Sequence, residues 1–370
     1  MRICLTTRYF NRYEGTPKYV VELAERFAEE HEVHLLTSSY DYEIPNLIVH
    51  KMPLIKRPGL LQILSDCYFS TKYTKRMKRE LGDVVIHSAG SDSLSSDVVT
   101  VHVCWDTWLR DYKTKVGKLR SYMDYKTRIA RAIQKKIVKN ARKVIAVSEK
   151  VKRDIMKYYG TPGEKITVIP NGVNLEEFKH DPYRRTEIRE QYGISDSDVV
   201  LLFVGHDFER KGLEYAIKAL PEVSNNVKLL VVGKGNPEAF QKLARKLGVI
   251  DKIIFTGFVP EIKHYYDISD IFVFPTYTEG FSLTMLEAVA SGLPVLATNV
   301  SGSDELIIDG YNGFFIERDP KDIAEKINIL VNDENLRMQM SKNARRSAER
   351  YSWDATAERT LEVYEEVLKR

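Results

Sequence analysis

The stretch DVVLLFVGHDFERKGLEYAIKALPEV, residues 198–223, decides the fold. An apolar, β-branched run of strand length breaks at Gly205, and KGLEYAIKALPEV follows as a helical segment. The order then repeats. VKLLVVGKG (227–235), KIIFTGFV (252–259), DIFVFPT (270–276) and LPVLAT (293–298) read as further strands, and NGFFIE (312–317) as another. PEAFQKLARKLG and PKDIAEKINILVN are helices among them, and ATAERTLEVYEEVLKR closes the chain as one more. Strands that alternate with helices imply right-handed βαβ units and a parallel sheet.

The preceding half reads the same way. RICLTT (2–7), EVHLLT (32–37), DVVIHSA (83–89), DVVTVHV (97–103) and KVIAVS (143–148) are strand-length runs. KYVVELAERFAEE (18–30) sets Val21, Leu23, Ala24, Phe27 and Ala28 at helical spacing, after a polar and aromatic loop holding Gly15. Pro and Gly punctuate TPGEKITVIPNGVNLEEF (161–178), where the chain is expected to pass from one domain to the next. The expected fold class is α/β, with two doubly wound parallel-sheet domains in tandem.

A chain of 370 residues exceeds one ordinary core. With 43% hydrophobic and 29% charged residues it belongs with globular proteins. No apolar run approaches the roughly 20 residues that span a bilayer, and MRICLTTRYF lacks the pattern of a signal peptide. Cys4, Cys67 and Cys104 match no zinc or redox spacing, so a reducing, cytoplasmic setting is expected. The net charge of +4 conceals a division. Residues 1–170 carry 31 Lys and Arg against 19 Asp and Glu, a net +12, and the remainder is −8. A basic half suits an anionic partner. The basic stretches 112–143 and 58–80 read either as core-packed helices with a solvated face or as docking surfaces for an anionic membrane or charged acceptor.

Open parallel sheets bind ligands at the carboxyl ends of their strands. After 198–204 comes GHDFERKG, where Gly205 lets the chain turn close to a ligand. Arg210 and Lys211 there flank a helix entrance, a combination suited to a diphosphate. After 270–276 comes TEGFSLTMLEAVASGLPVLAT (278–298), with Gly280 and Ser282 in its bend. If Ser282 begins a helix, the amides of Phe281, Ser282 and Leu283 are left for a diphosphate or a sugar hydroxyl. Glu287 can accept two hydrogen bonds from a vicinal diol such as a ribose, and Glu279 can do the same for a sugar. The bland alternative is a helix-dipole carboxylate plus one buried glutamate. His102 lies where the strand 97–103 ends, as a site residue or as a packed histidine. Asp196 and Asp198 read as a turn before a strand and not as a metal site.

Together these stretches resemble the retaining glycosyltransferases of family 4, which have the GT-B fold of two Rossmann-like domains facing across a cleft. The likeness covers essentially the whole chain. It rests on Glu279 and Glu287 within PTYTEGFSLTMLEAVASGLPVLAT, on VGHDFERKG, VIPNGVNLEEF and VVGKG, and on the tail YSWDATAERTLEVYEEVL. The resemblance implies a first domain over 1–170 plus a closing helix, 354–370, that crosses back to it, and a donor domain over 171–353. It implies that Arg210 and Lys211 bind the donor diphosphate, Glu287 the ribose and Glu279 the transferred sugar, with help from the amides of Phe281 to Leu283. Gly15 and Thr16 would approach the phosphate from the first domain. His102 would sit against the sugar and acceptor, and Val259 would line the nucleobase pocket. EGTP and GFSL stand where relatives often carry Gly-Gly and Gly-Phe-Gly, and Val103 follows His102 where an acidic residue is common.

The implied activity is transfer of a hexose from a nucleotide-diphosphate sugar, a UDP-sugar first and GDP-mannose next, to a glycan, lipid-linked or other acceptor hydroxyl. No metal, no cofactor and no nucleic-acid partner are expected. The enzyme would be cytoplasmic, resting on the cytosolic membrane face if its basic half docks there. The rival on the same fold is a nucleotide-sugar epimerase. A phosphorylase would need a lysine-bound pyridoxal phosphate, and a basic nucleic-acid binder would need a motif that the chain lacks.

Overall fold

The computed structural model describes residues 1–53, 60–90, 92–113 and 121–369. The chain divides into two compact units, Met1–Gly172 with Trp353–Arg370, and Val173–Ser352.

The first unit contains β1 (Arg2–Thr6), β2 (Tyr9–Phe10), β3 (Glu32–Thr37), β4 (Ser39–Tyr40), β5 (Leu47–Lys51), β6 (Val84–Ala89), β7 (Val98–Val101), β8 (Lys143–Ala146) and β9 (Ile166–Val168). Seven of them form a parallel sheet in the order β5-β3-β1-β6-β7-β8-β9, while β2 and β4 pair separately. Interior strands β6 and β7 are buried at every position. Edge strand β5, which the sequence did not announce, is partly exposed along its length and has a mixed composition to match.

Helix Gly15–Glu30 buries Val20, Val21, Leu23, Ala24 and Phe27. The last helix, Trp353–Leu368, packs on it. Phe27 and Tyr364 meet edge to face at 5.7 Å, and Arg26 Nε donates to Asp354 at 2.6 Å. The Val173 amide donates to the Tyr351 carbonyl at 2.8 Å, so the outgoing and returning chain lie side by side just before residue 353 rejoins the first unit. Within the basic stretch 112–143, residues 112–113 end helix Trp105–Lys113 and 121–140 form helix Ser121–Asn140, while 114–120 lie outside the described residues. Most of 58–80 falls in helix Leu60–Leu81.

The second unit carries β10 (Val199–Val204), β11 (Val227–Val232), β12 (Ile253–Gly257), β13 (Ile271–Phe274), β14 (Val295–Ala297) and β15 (Gly313–Phe315). Their order is β12-β11-β10-β13-β14-β15, all parallel. The chain winds outward from β10 to β12, then returns to β13 on the other side of β10. That reversal opens a crevice beyond the carboxyl ends of β10 and β13, the place where such sheets bind ligands. Phe203, Leu213, Ile217, Leu229, Val273 and Ile323 form part of the core beneath it. The helix after β10 spans Leu213–Ala219 and tightens into a 3₁₀ turn over Leu220–Glu222. Pro221, which has no amide hydrogen, explains why it stops short of residue 223.

Candidate active site

Two loops meet at the reversal. The loop after β10 runs through Gly205 to Gly212, and the loop after β13 runs from Pro275 to Ser282. They are laced together by the Tyr277 amide, which donates to the Arg210 carbonyl at 3.0 Å. Gly212 has φ +78°, and a Cβ there would stand 2.1 Å from the Pro275 carbonyl oxygen. Only glycine permits this approach. At Gly205 a Cβ would fall 2.9 Å from Lys211 Cγ, so its bareness makes room for the lysine stem as well as for the turn.

Inside this lacing the predicted cations and the first predicted glutamate converge. Lys211 Nζ contacts Glu279 Oε1, and Arg210 Nη1 donates to the same oxygen at 3.2 Å and to the Thr278 carbonyl at 3.0 Å. The Thr276 hydroxyl donates to it at 3.1 Å. Lys211 Nζ lies 4.7 Å from the Phe274 ring centroid. Lys211 and Glu279 each keep only 11% of their side chains exposed. Burial drives the Lys211 ammonium down to about 8, against an upward pull from Glu279. Burial alone would raise the Glu279 carboxyl, yet Lys211 and Arg210 outweigh it and hold it below its ordinary value. Half-exposed Asp207 also accepts from Arg210 Nε at 3.3 Å, so the two cations face two carboxylates, of which only Glu279 is buried with them.

Ser282 is the N-cap of helix Leu283–Ala290, and its hydroxyl accepts from the Met285 amide at 3.3 Å. Gly280 and Phe281 precede the cap. The Phe281 ring is buried 5.4 Å from Tyr351 and pins the bend. Gly302, with φ +75°, lets a neighbouring loop pass within Cβ distance of the Gly280 carbonyl. One turn into the helix, buried Glu287 accepts from the Tyr266 hydroxyl at 2.9 Å. Burial, and then Glu287, push that phenol well above its ordinary value, so it stays a donor. The two glutamates thus sit in different settings: Glu279 in an ion cluster, Glu287 in a hydrogen bond from a phenol.

The third edge of the crevice is made by the ends of β11 and β12. Half-buried Val259 follows β12, beside Phe258, which is exposed and 6.3 Å from the His206 ring. The Lys234 amide donates to His206 Nδ1 at 3.3 Å.

In the first unit Gly15 and Thr16 open helix Gly15–Glu30, whose N-cap Glu14 has extended backbone and no side-chain cap bond. Asn11 Oδ1 accepts from the amides of Tyr13 and Glu14 and shapes the turn that precedes them. His102 follows β7 directly. Its ring meets Tyr19 edge to face at 4.9 Å, and its Nε2 is buried with no hydrogen-bond partner among the described residues. Burial drives it down to about 4, so the imidazole is neutral near pH 7. Behind it, His87 Nε2 lies 2.7 Å from the Thr100 hydroxyl, which is 3.0 Å from that of Tyr19.

Sequence reasoning missed Tyr266, Thr276 and Gly212. Tyr266 lies in a short helix 21 residues before Glu287, and nothing local signals the contact. Gly212 was visible as the second glycine of GHDFERKG, but its need arises only from the neighbouring loop. No helix among the described residues is long and apolar enough to cross a membrane.

Known proteins share the family profile and the fold. The profile described as "Glycosyl transferases group 1" matches residues 184–347, and that of "Glycosyltransferase Family 4" matches 13–177. An uncharacterised glycosyltransferase of Methanocaldococcus jannaschii is 29% identical over 354 residues, 90% of this chain and 89% of that protein. Among solved structures, WaaG, a glycosyltransferase involved in lipopolysaccharide biosynthesis, superposes with a TM-score of 0.84 at 23% identity, covering 98% of this chain and 99% of its own. HepE from Anabaena, crystallised with UDP and glucose, gives 0.78 at 18% identity over 98% and 99% of the two chains. With one profile on each unit and the two-sheet architecture of these structures, the chain belongs to glycosyltransferase family 4 and has the GT-B fold.

Proposed function

We propose that this glycosyltransferase is a retaining enzyme that moves a hexose from a UDP-sugar, with GDP-mannose as the next choice, to the hydroxyl of a glycan or lipid-linked acceptor. The observation that carries the reading is the convergence of Arg210 and Lys211 on Glu279 at the strand-order reversal. As the bond from the sugar C1 to the diphosphate oxygen breaks, negative charge grows on the leaving group. Buried, preoriented cations stabilise that charge without reorganising. Glu279 keeps both cations in place before the donor arrives, then meets hydroxyls of the transferred sugar. The amides of Phe281, Ser282 and Leu283 and the backbone at Gly205 and Gly280 border the same loops. Glu287, oriented by Tyr266, holds the ribose, and Val259 lies against the base. Gly15, Thr16 and neutral His102 contribute from the first unit. The acceptor oxygen attacks C1 on the face that the diphosphate leaves, and its proton passes to the departing phosphate. Because fixed cations supply the charge, we propose that no divalent metal is required. UDP is favoured by its presence with glucose in HepE.

The test is thermal stability with UDP, GDP and ADP in turn, in chelator, with Glu287→Gln alongside. A ligand at 100 times its dissociation constant adds about 2.7 kcal/mol, a shift of several degrees. The expected result is a rise with UDP that is lost in the variant. No rise with any nucleotide sinks the reading. A rise only with GDP corrects the donor, and a rise only after magnesium is restored removes metal independence.

A further inference from the structure

Within the first unit, helices Leu60–Leu81 and Ser121–Asn140 run past one another without closing the space between them. Leu64, Cys67, Tyr68 and Thr71 on one helix face Ile129, Ala132 and Ile133 on the other across a cleft of about 640 Å³. Positions 64, 67, 68 and 71 fall on one helical stripe, as do 129, 132, 133 and 136. Such stripes normally interlock. Here Ala132 is too small to reach across, and the apolar walls stay apart.

Two further observations say what belongs there. Leu61, Leu64 and Tyr68, on successive turns, are 59%, 44% and 62% exposed and form an apolar ridge beside the cleft. At its other margin stand Lys72, Lys75 and Lys136, all exposed, and none has an ion-pair partner among the described residues. An apolar ridge, an apolar slot and three uncompensated cations match one partner by charge and polarity: a bilayer that contains anionic phospholipid.

We infer that this face of the first unit docks on an anionic bilayer, with one acyl chain entering the cleft between the two helices and the lipid phosphate meeting Lys72, Lys75 and Lys136. The volume lies within the usual range for sites that enclose a small ligand, roughly 300–1,000 Å³. The inference goes beyond the catalytic reading and does not depend on it, since the surface is made by the first unit alone.

Sedimentation with phosphatidylglycerol and with phosphatidylcholine vesicles, without nucleotide, tests it. The full chain is expected to bind the first at low salt and not the second. Each lysine near an anionic surface contributes about fivefold, so Lys72→Gln/Lys75→Gln/Lys136→Gln together are expected to weaken partitioning roughly a hundredfold. A Tyr68→Trp reporter is expected to be quenched by phosphatidylglycerol with brominated acyl chains. Adding Ala132→Phe, which fills the slot, is expected to reduce that quenching. All the altered positions are exposed, and an unchanged melting temperature without ligand shows that each variant is folded. Undiminished binding by the lysine variant, or a bound but unquenched Tyr68→Trp, places the contact elsewhere and overturns the inference, as does equal binding to phosphatidylcholine or none to either lipid. Because no turnover is read, failure here is distinct from failure of the transferase assignment.

Discussion

The ends of β10 and β13 in the second unit and the end of β7 in the first are comparable places, the carboxyl edges of parallel sheets, yet they hold opposite chemistry. The first place contains a lysine, an arginine and a carboxylate wired together before any ligand arrives. The second contains a neutral histidine whose buried Nε2 has no hydrogen-bond partner among the described residues. Charge that must meet a constant anionic group can be fixed in advance, and burial makes it stronger. A group that must fit a neutral sugar and a variable hydroxyl is better left uncharged and waiting. On the proposed function, the second unit therefore governs donor charge and the first governs geometry.

The sharpest way to break that division is Lys211→Met. It is expected to lower kcat/KM by about 10²–10³, the loss typical of a missing charge-stabilising donor. The variant also leaves Glu279 with less compensation, so stability falls as well. Lys211→Met/Glu279→Gln is expected to recover melting temperature without recovering transfer. Recovery of both would mean that the lysine only balances a buried carboxylate.

His102→Ala attacks the other side. The expected loss is about 10–100-fold in kcat, with nucleotide affinity unchanged, since a group that acts on sugar and acceptor is read in turnover. Because the imidazole is neutral down to about 4, the profile between roughly pH 5 and 8 is expected to show no histidine titration from it. A matching loss of UDP affinity would erase the contrast between the units.

That contrast also sorts what the sequence made legible. The fold was readable because every interior strand is an apolar run and Gly or Pro punctuates most turns. Edge strands β5 and β9 were not, because their short, partly exposed composition carries little signal. Arg210, Lys211 and Glu279 were readable because charges beside glycines at strand ends are conspicuous. Their mutual contact was not, since it spans 68 and 69 residues and depends on two loops crossing at Gly212. The lysine margin near residues 72, 75 and 136 was legible as parts of the two basic stretches 58–80 and 112–143, though not as one face. The cleft beside it depends on how two helices fail to close.

Proton linkage gives a graded test. Lys211 falls from 10.5 to about 8 in the folded protein. Below that value the ammonium is present for the diphosphate, and it is lost as pH rises through it. UDP dissociation constants are thus expected to increase by up to ~10-fold per pH unit above about 8. Folding linkage has the opposite sign. Between about 8 and the ordinary lysine value the unfolded chain binds more protons, so this group's contribution to stability rises with pH. Affinity falling while stability rises identifies Lys211, and Lys211→Arg is expected to flatten the affinity profile. A flat profile in the parent protein to about pH 10 would detach the lysine from the diphosphate.

The smallest expected effect concerns the support beneath Glu287. Tyr266 donates to Glu287 at 2.9 Å and also lies 3.1 Å from the Thr284 carbonyl, which ties the carboxylate to the first turn of its own helix. Tyr266→Phe keeps the ring, and with it the packing on Phe178 and Phe272, and removes only the hydroxyl. One hydrogen bond to a charged acceptor contributes about 1.5–3 kcal/mol when buried. Most of that is expected as lost stability. The share that reaches UDP affinity is about fivefold, because the ribose hydroxyls can still donate to the carboxylate when the Tyr266 hydroxyl is gone. A deoxyribose nucleotide separates the two roles. If Tyr266 orients Glu287 for the ribose, the variant's penalty shrinks with that ligand; if it only packs the helix, the penalty is the same for both.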